Sequence, residues 1–201
     1  MMETVQLVDF NKISYKQFEK FIDSLDEEKN TWSLDRQGFK NNEDYFNYQS
    51  TQHNLVLLHG DKVIGLFLAL PEKPEYKKIP EHIKVDDNFD DIKHNIICWL
   101  YSYVIKKEYQ KNNLATGGLK ALIEIKDKQS EYFEWDKKVN LIIHTARTHT
   151  YNLGSRFLLK KLGFSSVHKY EEQITYCMIK DNVNNKIIDI KNMYDSDLIR
   201  R

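Results

Sequence analysis

The residues with the clearest chemical potential lie between Ile105 and Leu119, where the chain reads I-K-K-E-Y-Q-K-N-N-L-A-T-G-G-L. A polar turn that leaves a strand and opens a helix aims several backbone N–H groups one way, and the positive end of the helix dipole adds to them. Such a turn suits an anion, phosphate above all, with Lys111 and then Lys106 and Lys107 adding charge at its edge. The same lysines and asparagines also suit an ordinary solvated turn, so this segment alone leaves both readings open. A second set of residues could move protons: Tyr101 and Tyr103 in one aromatic run, His144 at the end of another apolar run, Tyr151, and Tyr176 further on. His144 is the preferred base, because imidazole titrates near neutrality. Each also has a structural reading, since a tyrosine in an aromatic strand is usually core and a strand-end histidine is usually satisfied structure. No metal site is expected. His144 and His149 stand five apart across a turn with no third ligand near them, and Cys98 and Cys177, both inside apolar runs, read as small buried hydrophobes.

These side chains need elements to position them. Val5 to Phe10 reads as a strand, and Tyr15 to Leu25 as a helix with Ser14 as its cap. A weaker helix is expected around Asn42 to Gln49. Leu55 to Leu70 holds two apolar runs about Gly60-Asp61 and reads as a β-hairpin. A long connection or insertion follows over about 71–94, with three prolines and the acidic pairs Asp86-Asp87 and Asp90-Asp91. IICWLYSYVI is a strand by its β-branched and aromatic content. Leu114 to Gln129 puts Leu119, Leu122, Ile123 and Ile125 on one helical face, and Val139 to Thr145 reads as a buried strand parallel to the one before it. Asn152 to Leu162 is a helix ending at Gly163. Phe164 to Tyr170 and Gln173 to Lys180 read as two antiparallel strands, and the tail over 181–201 holds one apolar patch, Ile187 to Ile190.

Composition narrows the function classes. A chain of 201 residues is about one domain long. With 41% hydrophobic and 30% charged residues it suits a soluble globular protein, and no apolar run approaches the roughly 18 residues of a membrane helix. The first residues, MMETVQLVDF, lack the features of a signal peptide, so a cytoplasmic location is expected. Thirty basic residues balance thirty acidic ones, so no overall field draws the chain to nucleic acid or to a membrane surface.

The turn resembles the acyl-CoA signature of the GNAT acetyltransferase superfamily, in which an apolar strand leads to Gln/Arg-x-x-Gly-x-Gly/Ala at a helix start. Gln110-Lys111-Asn112-Asn113-Leu114-Ala115 occupies that pattern, with Asn113 where the family usually has glycine; asparagine is the side chain that best tolerates left-handed backbone angles. Asn152-x-x-Ser155 followed by Leu158-Leu159-Lys160-Lys161-Leu162-Gly163-Phe164 is similar to the family's Asn-x-x-Ala...Tyr-x-Lys-Leu-Gly-Phe helix, and VLLHGDKVIGLFLAL to its paired strands. The resemblance covers about residues 55–70 and 95–180.

It implies a single α+β domain over 1–201, with a central mixed, largely antiparallel sheet of six or seven strands flanked by helices and containing a splayed parallel pair. It implies acetyl-CoA as cosubstrate, with Tyr103, Val104 and Ile105 along the pantetheine, Gln110, Lys111, Asn112, Asn113, Leu114, Ala115 and Thr116 around the pyrophosphate, and Asn152 on the pantetheine arm. A backbone N–H of the cofactor strand would serve as the oxyanion partner. The implied activity is direct attack by an amine of a small molecule or protein, in a monomer or homodimer. Acidic stretches at Asp23 to Glu28 and Asp86 to Asp91 suggest a cationic acceptor such as a polyamine, an amino sugar or a lysine side chain, and in a chain with 30% charged residues they also read as solvated loops. The chain departs from the family where many members carry a tyrosine acid, here Leu159, and where some carry a glutamate base, here Trp99. Tyr101, His144 and Tyr176 are the substitutes for these roles, and the alternative is an acyl-CoA-binding regulatory protein with little or no turnover.

Overall fold

Local signals become elements close to where the sequence puts them in the computed structural model of the chain, which describes residues 4–25, 38–72, 96–110, 112–131, 139–190 and 194. Strand β1 (Val5–Asp9) leads to helix α1 (Tyr15–Asp23), which begins at Ser14. There the Ser14 hydroxyl accepts from the Gln17 N–H, and the Gln17 side chain accepts from the Ser14 N–H, so two orphan donors are satisfied reciprocally. Helix α2 (Asn42–Ser50) is opened by Asn41, whose side chain accepts from the Asp44 N–H. Strands β2 (Leu55–His59) and β3 (Lys62–Glu72) form the antiparallel hairpin. They are followed by β4 (Ile96–Ile105), α3 (Leu114–Glu131), β5 (Leu141–His149), α4 (Leu153–Lys161), β6 (Ser165–Tyr170), β7 (Gln173–Asp181) and β8 (Lys186–Ile188).

The strands are hydrogen-bonded in the order β1-β2-β3-β4-β5-β7-β6, with β8 on β7. The sheet is therefore mixed and largely antiparallel, as expected, with β4 and β5 parallel. Among the described residues seven strands form its path, and Lys186–Ile188 in the tail adds an eighth by pairing with Ile179–Asp181. The chain forms two compact units, Met1–Ala69 with Ser102–Leu122, and Leu70–Tyr101 with Ile123–Arg201.

In the first unit, aromatic rings from α1 and α2 fill the core. Phe18, Phe21 and Tyr45 join Phe10 against Val56, Leu66, Leu68 and Val104 of the strands. The Phe10 and Phe18 ring centres lie 5.7 Å apart in a tilted arrangement, a favourable geometry for aromatic pairs. Buried Asn54 ties the strands together: its side-chain oxygen accepts from the Ala69 N–H at 2.9 Å and its carbonyl from the Phe10 N–H at 2.7 Å. Gly118 of α3 lies so near Phe67 of β3 that a Cβ there would fall 2.2 Å from the ring. Glycine is what lets that turn of the helix approach the strand.

In the second unit the β4–β5 register runs from Ile96–Leu141 to Tyr101–Ala146, and β5 pairs with β7 from Leu141–Asp181 to His149–Gln173. Ile96, Leu141, Ile143, Cys177 and Ile179 pack with Ile188 of β8. Helix α4 ends at Gly163, whose φ of +91° is the left-handed stop that glycine makes readily. Strand β5 extends beyond the expected Thr145, because the polar letters Arg147, Thr148 and His149 keep pairing with β7. His144 is consequently in mid-strand and wholly buried, not at a strand end.

Candidate active site

The turn after β4 is held by its own side chains. The Gln110 amide donates to the Ile105 carbonyl at 2.9 Å, closing the turn on the strand it leaves, and the Tyr109 hydroxyl meets His59 Nδ1 at 2.8 Å. Asn113 adopts φ +57°, the left-handed conformation that glycine would take most readily. The Gly117 N–H closes the first helical turn on the Asn113 carbonyl at 3.0 Å. The amides of Leu114, Ala115 and Thr116 stand ahead of that bond, as N-terminal helix amides do. Asn112 and Asn113 are exposed, and Leu114, Ala115 and Thr116 half-buried, so this helix start lies at the surface. Lys111 lies outside the described residues.

Lys106 is placed differently from the expected edge of the turn. Its ammonium lies 5.9 Å from the centre of the Phe21 ring, and with Lys20 and Lys62 it lines a cleft of about 550 Å³ beside α1. Tyr103, Val104 and Ile105 end β4. Val104 and Ile105 are buried, and the half-buried Tyr103 ring stacks on Phe67 at 6.3 Å between centres. The register of β4 with β5 stops at Tyr101–Ala146, while β4 itself runs on to Ile105. Asn152, in the second unit, caps α4: its side-chain oxygen accepts from the Ser155 N–H at 3.1 Å.

Of the candidate proton carriers, the structure brings Tyr101 and His144 together. The Tyr101 hydroxyl and His144 Nδ1 are 2.8 Å apart, and both side chains are buried. Two residues missed in the sequence complete the cluster. Asp127 of α3 places Oδ1 3.0 Å from His144 Nε2, and its Oδ2 accepts from the Lys180 ammonium of β7 at 2.8 Å. Burial pushes the Asp127 carboxyl up, but His144 and then Lys180 outweigh it, so the group sits below the usual carboxylate range. Burial first, and then the charges of Asp127 and Cys98, hold the Tyr101 phenol well above its ordinary value. A signal for Asp127 was present. The buried α3 face that carries Leu119, Leu122 and Ile123 continues through Lys126 and Ser130 beside it, so the helical period runs on with polar letters. Lys180 likewise keeps the alternation of Tyr176 and Met178 on β7.

The remaining candidates are engaged elsewhere. Tyr176 is buried, and its hydroxyl accepts from Arg156 Nε at 3.2 Å; the same guanidinium donates to the Thr150 and Tyr194 carbonyls. Tyr151 is exposed, its ring stacked on His149 at 4.9 Å. His149 is five residues from His144 on one strand, so the two point to opposite faces. Leu159 is buried in α4, and Trp99 is buried with its indole N–H donating to Ser130 at 2.9 Å. Asp86 to Asp91, and Asp26 to Glu28 of the stretch from Asp23, lie outside the described residues. Among the described residues no three His, Cys, Asp or Glu side chains gather as a metal site would require, and no helix is long and apolar enough to cross a membrane.

No protein-family model matches the sequence, and no curated protein is significantly similar to it. Solved structures are similar to it in fold. An acetyltransferase of the GNAT family from Streptococcus pneumoniae superposes with a TM-score of 0.57 at 17% identity, over 89% of this chain and 99% of that one. NAA60 from Arabidopsis thaliana, in complex with acetyl-CoA, does so with a TM-score of 0.55 at 14% identity, over 94% and 100% of the two chains. A ribosomal-protein-alanine N-acetyltransferase from Brucella melitensis gives 0.54 at 15% identity, over 88% and 99%.

Proposed function

The chain has the fold of the GNAT acetyltransferases, and on that premise we propose that it is an acyl-CoA-dependent N-acyltransferase that moves the acetyl group of acetyl-CoA to an amine. The observation that carries this reading is the turn at the head of α3, closed by Gln110 and passed through a left-handed Asn113 next to a strand whose pairing stops early. The pyrophosphate is assigned to the turn, Gln110 to Thr116 with Lys111, where helix-start amides and the dipole favour negative charge. The pantetheine lies along the edge of β4 at Tyr103, Val104 and Ile105 as a surrogate strand, bonding backbone groups that would otherwise lack a ladder. A backbone N–H of that strand meets the thioester oxygen, and Asn152 is assigned to the pantetheine arm. Catalysis is direct attack by the bound amine, with positioning as the main contribution. We assign the acceptor to the cationic amines and the protein to the cytoplasm as a single domain, monomeric or homodimeric.

A second reading has its own observation. Leu159 and Trp99, which the sequence resemblance aligns with the family's acid and base, are both buried apolar or aromatic side chains, and that favours a protein that binds acyl-CoA with little turnover. One experiment separates the two: titration with acetyl-CoA, followed by free-thiol release with spermidine, glucosamine and a lysine-containing peptide as acceptors. Saturable binding with release by at least one amine supports the transferase, and binding without release supports the second reading. Absence of binding contradicts both.

A further inference from the structure

Buried ionisable side chains cost desolvation free energy that a well-packed apolar core avoids, and groups arranged this way cluster at functional sites. One unit of this chain holds four ionisable side chains in line, Tyr101 and His144 buried and Asp127 and Lys180 half-buried, from three strands and a helix. Tyr101 of β4 is 2.8 Å from His144 of β5, which is 3.0 Å from Asp127 of α3, which is 2.8 Å from Lys180 of β7. Side-chain exposure rises along the line, from 0% at His144 to 16% at Asp127 and 22% at Lys180, so it runs from the interior towards solvent. His144 Nε2 and Asp127 Oδ1 face each other at 3.0 Å, within ion-pair reach. The other end of the line is also well placed. Tyr101 is the last β4 residue in register with β5, at the point where the parallel pairing ends.

We propose that Tyr101, His144, Asp127 and Lys180 form the proton path of the acyl-transfer step, with Tyr101 as shuttle, His144 as acceptor, and Asp127 and Lys180 as positioning residues. The inference rests on the acyl-transfer reading above. With a carboxylate beside Nε2, the neutral ring keeps its proton there, and Nδ1 accepts from the Tyr101 hydroxyl. The amine nitrogen attacks the thioester carbon, the C–N bond forms and the C–S bond breaks. The proton released from nitrogen passes to the Tyr101 oxygen as the Tyr101 proton moves to Nδ1. Asp127, itself held by Lys180, faces the resulting imidazolium. Return of the proton through Tyr101 to the departing thiolate completes the balance, so that amine and thioester give amide and thiol with no other reactant.

The test compares wild type with Asp127→Asn, Lys180→Met and Lys180→Arg, using acetyl-CoA with whichever of spermidine, glucosamine or the lysine peptide gives thiol release. Thermal melts and acetyl-CoA titration fix the folded, binding-competent fraction of each variant. The proposal expects Asp127→Asn to lower kcat about 10- to 100-fold, within the span of acid–base catalysis, with the KM for acetyl-CoA within about twofold. Lys180→Met should fall less, and Lys180→Arg should recover most of that loss, because the positive partner of Asp127 is kept. Wild-type kcat in the folded fraction of Asp127→Asn, or equal losses in Lys180→Met and Lys180→Arg, overturns the path while leaving acyl transfer standing. A substrate-independent check is ¹⁵N NMR of the His144 ring, which should show Nε2–H and an accepting Nδ1. A neutral ring protonated on Nδ1 overturns the path whatever the enzyme assay gives, whereas failure of wild type to bind acetyl-CoA removes the acyl-transfer reading and the path with it.

Discussion

At its first turn α3 presents backbone amides at the surface, while further along the same helix carries Lys126 and Ser130 into a buried face with half-buried Asp127 beside them. The two regions are built from different materials. The turn is made of N–H groups, so its side chains can drift provided the backbone angles survive, and Asn113 in a left-handed conformation shows such a change absorbed. The buried line is made of side-chain atoms at 2.8 to 3.0 Å from one another, and any member that changes leaves a partner exposed to a low dielectric without compensation. Under the proposed function, affinity resides in the first region and proton handling in the second.

That division breaks or sharpens under substitution. The largest effect is expected for His144→Ala, which should cut kcat about 10²- to 10³-fold while acetyl-CoA affinity stays within about threefold; thiol-release kinetics beside a binding titration measure both, and a parallel loss of affinity would erase the distinction. Next is Gly118→Ala. The added methyl would fall 2.2 Å from the Phe67 ring, so overpacking should cost about 1–3 kcal/mol in a denaturant melt, with Phe67→Leu recovering part of it in the double variant. Asn113→Val should weaken acetyl-CoA by roughly tenfold, since a β-branched residue resists φ near +57°, whereas Asn113→Gly should bind as well as wild type or better. Calorimetry on the pair decides, and neither should alter the intrinsic pH dependence of turnover.

The smallest effect is a pH dependence of stability. Asp127 is held below the ordinary carboxylate value of 3.8, because His144 and Lys180 outweigh the cost of its burial. A depressed folded-state value means that the contribution is fully present above the unfolded value and is lost as pH falls through the folded one. The gap in melting stability between wild type and Asp127→Asn should therefore be steady above that range and close on acidification below it. A gap that widened on acidification would mean that the carboxylate is not stabilised by its neighbours.

Much of this was legible in the sequence where local chemistry decides the outcome. Ser14 with Gln17, Gly163 after α4 and the hairpin about Gly60 each act within a few residues, and each element forms where those letters place it. The left-handed role of Asn113 was legible for the same reason. The end of β5 was not, because Arg147, Thr148 and His149 look like loop letters until β7 supplies their partners. Tyr101 and His144 could be named as candidates but not joined, since their contact depends on the register of a parallel pair separated by a whole helix. Asp127 and Lys180 were hidden more deeply. A charged letter on an apolar period is read as an interruption unless the group it will meet is already known.

The most direct test of the central claim is a calorimetric titration of acetyl-CoA into wild type, Asn113→Val and Asp127→Asn. Saturable binding at one site per chain, weakened in Asn113→Val and retained in Asp127→Asn, is the result predicted. No binding, or binding indifferent to Asn113 and lost with Asp127, would contradict it.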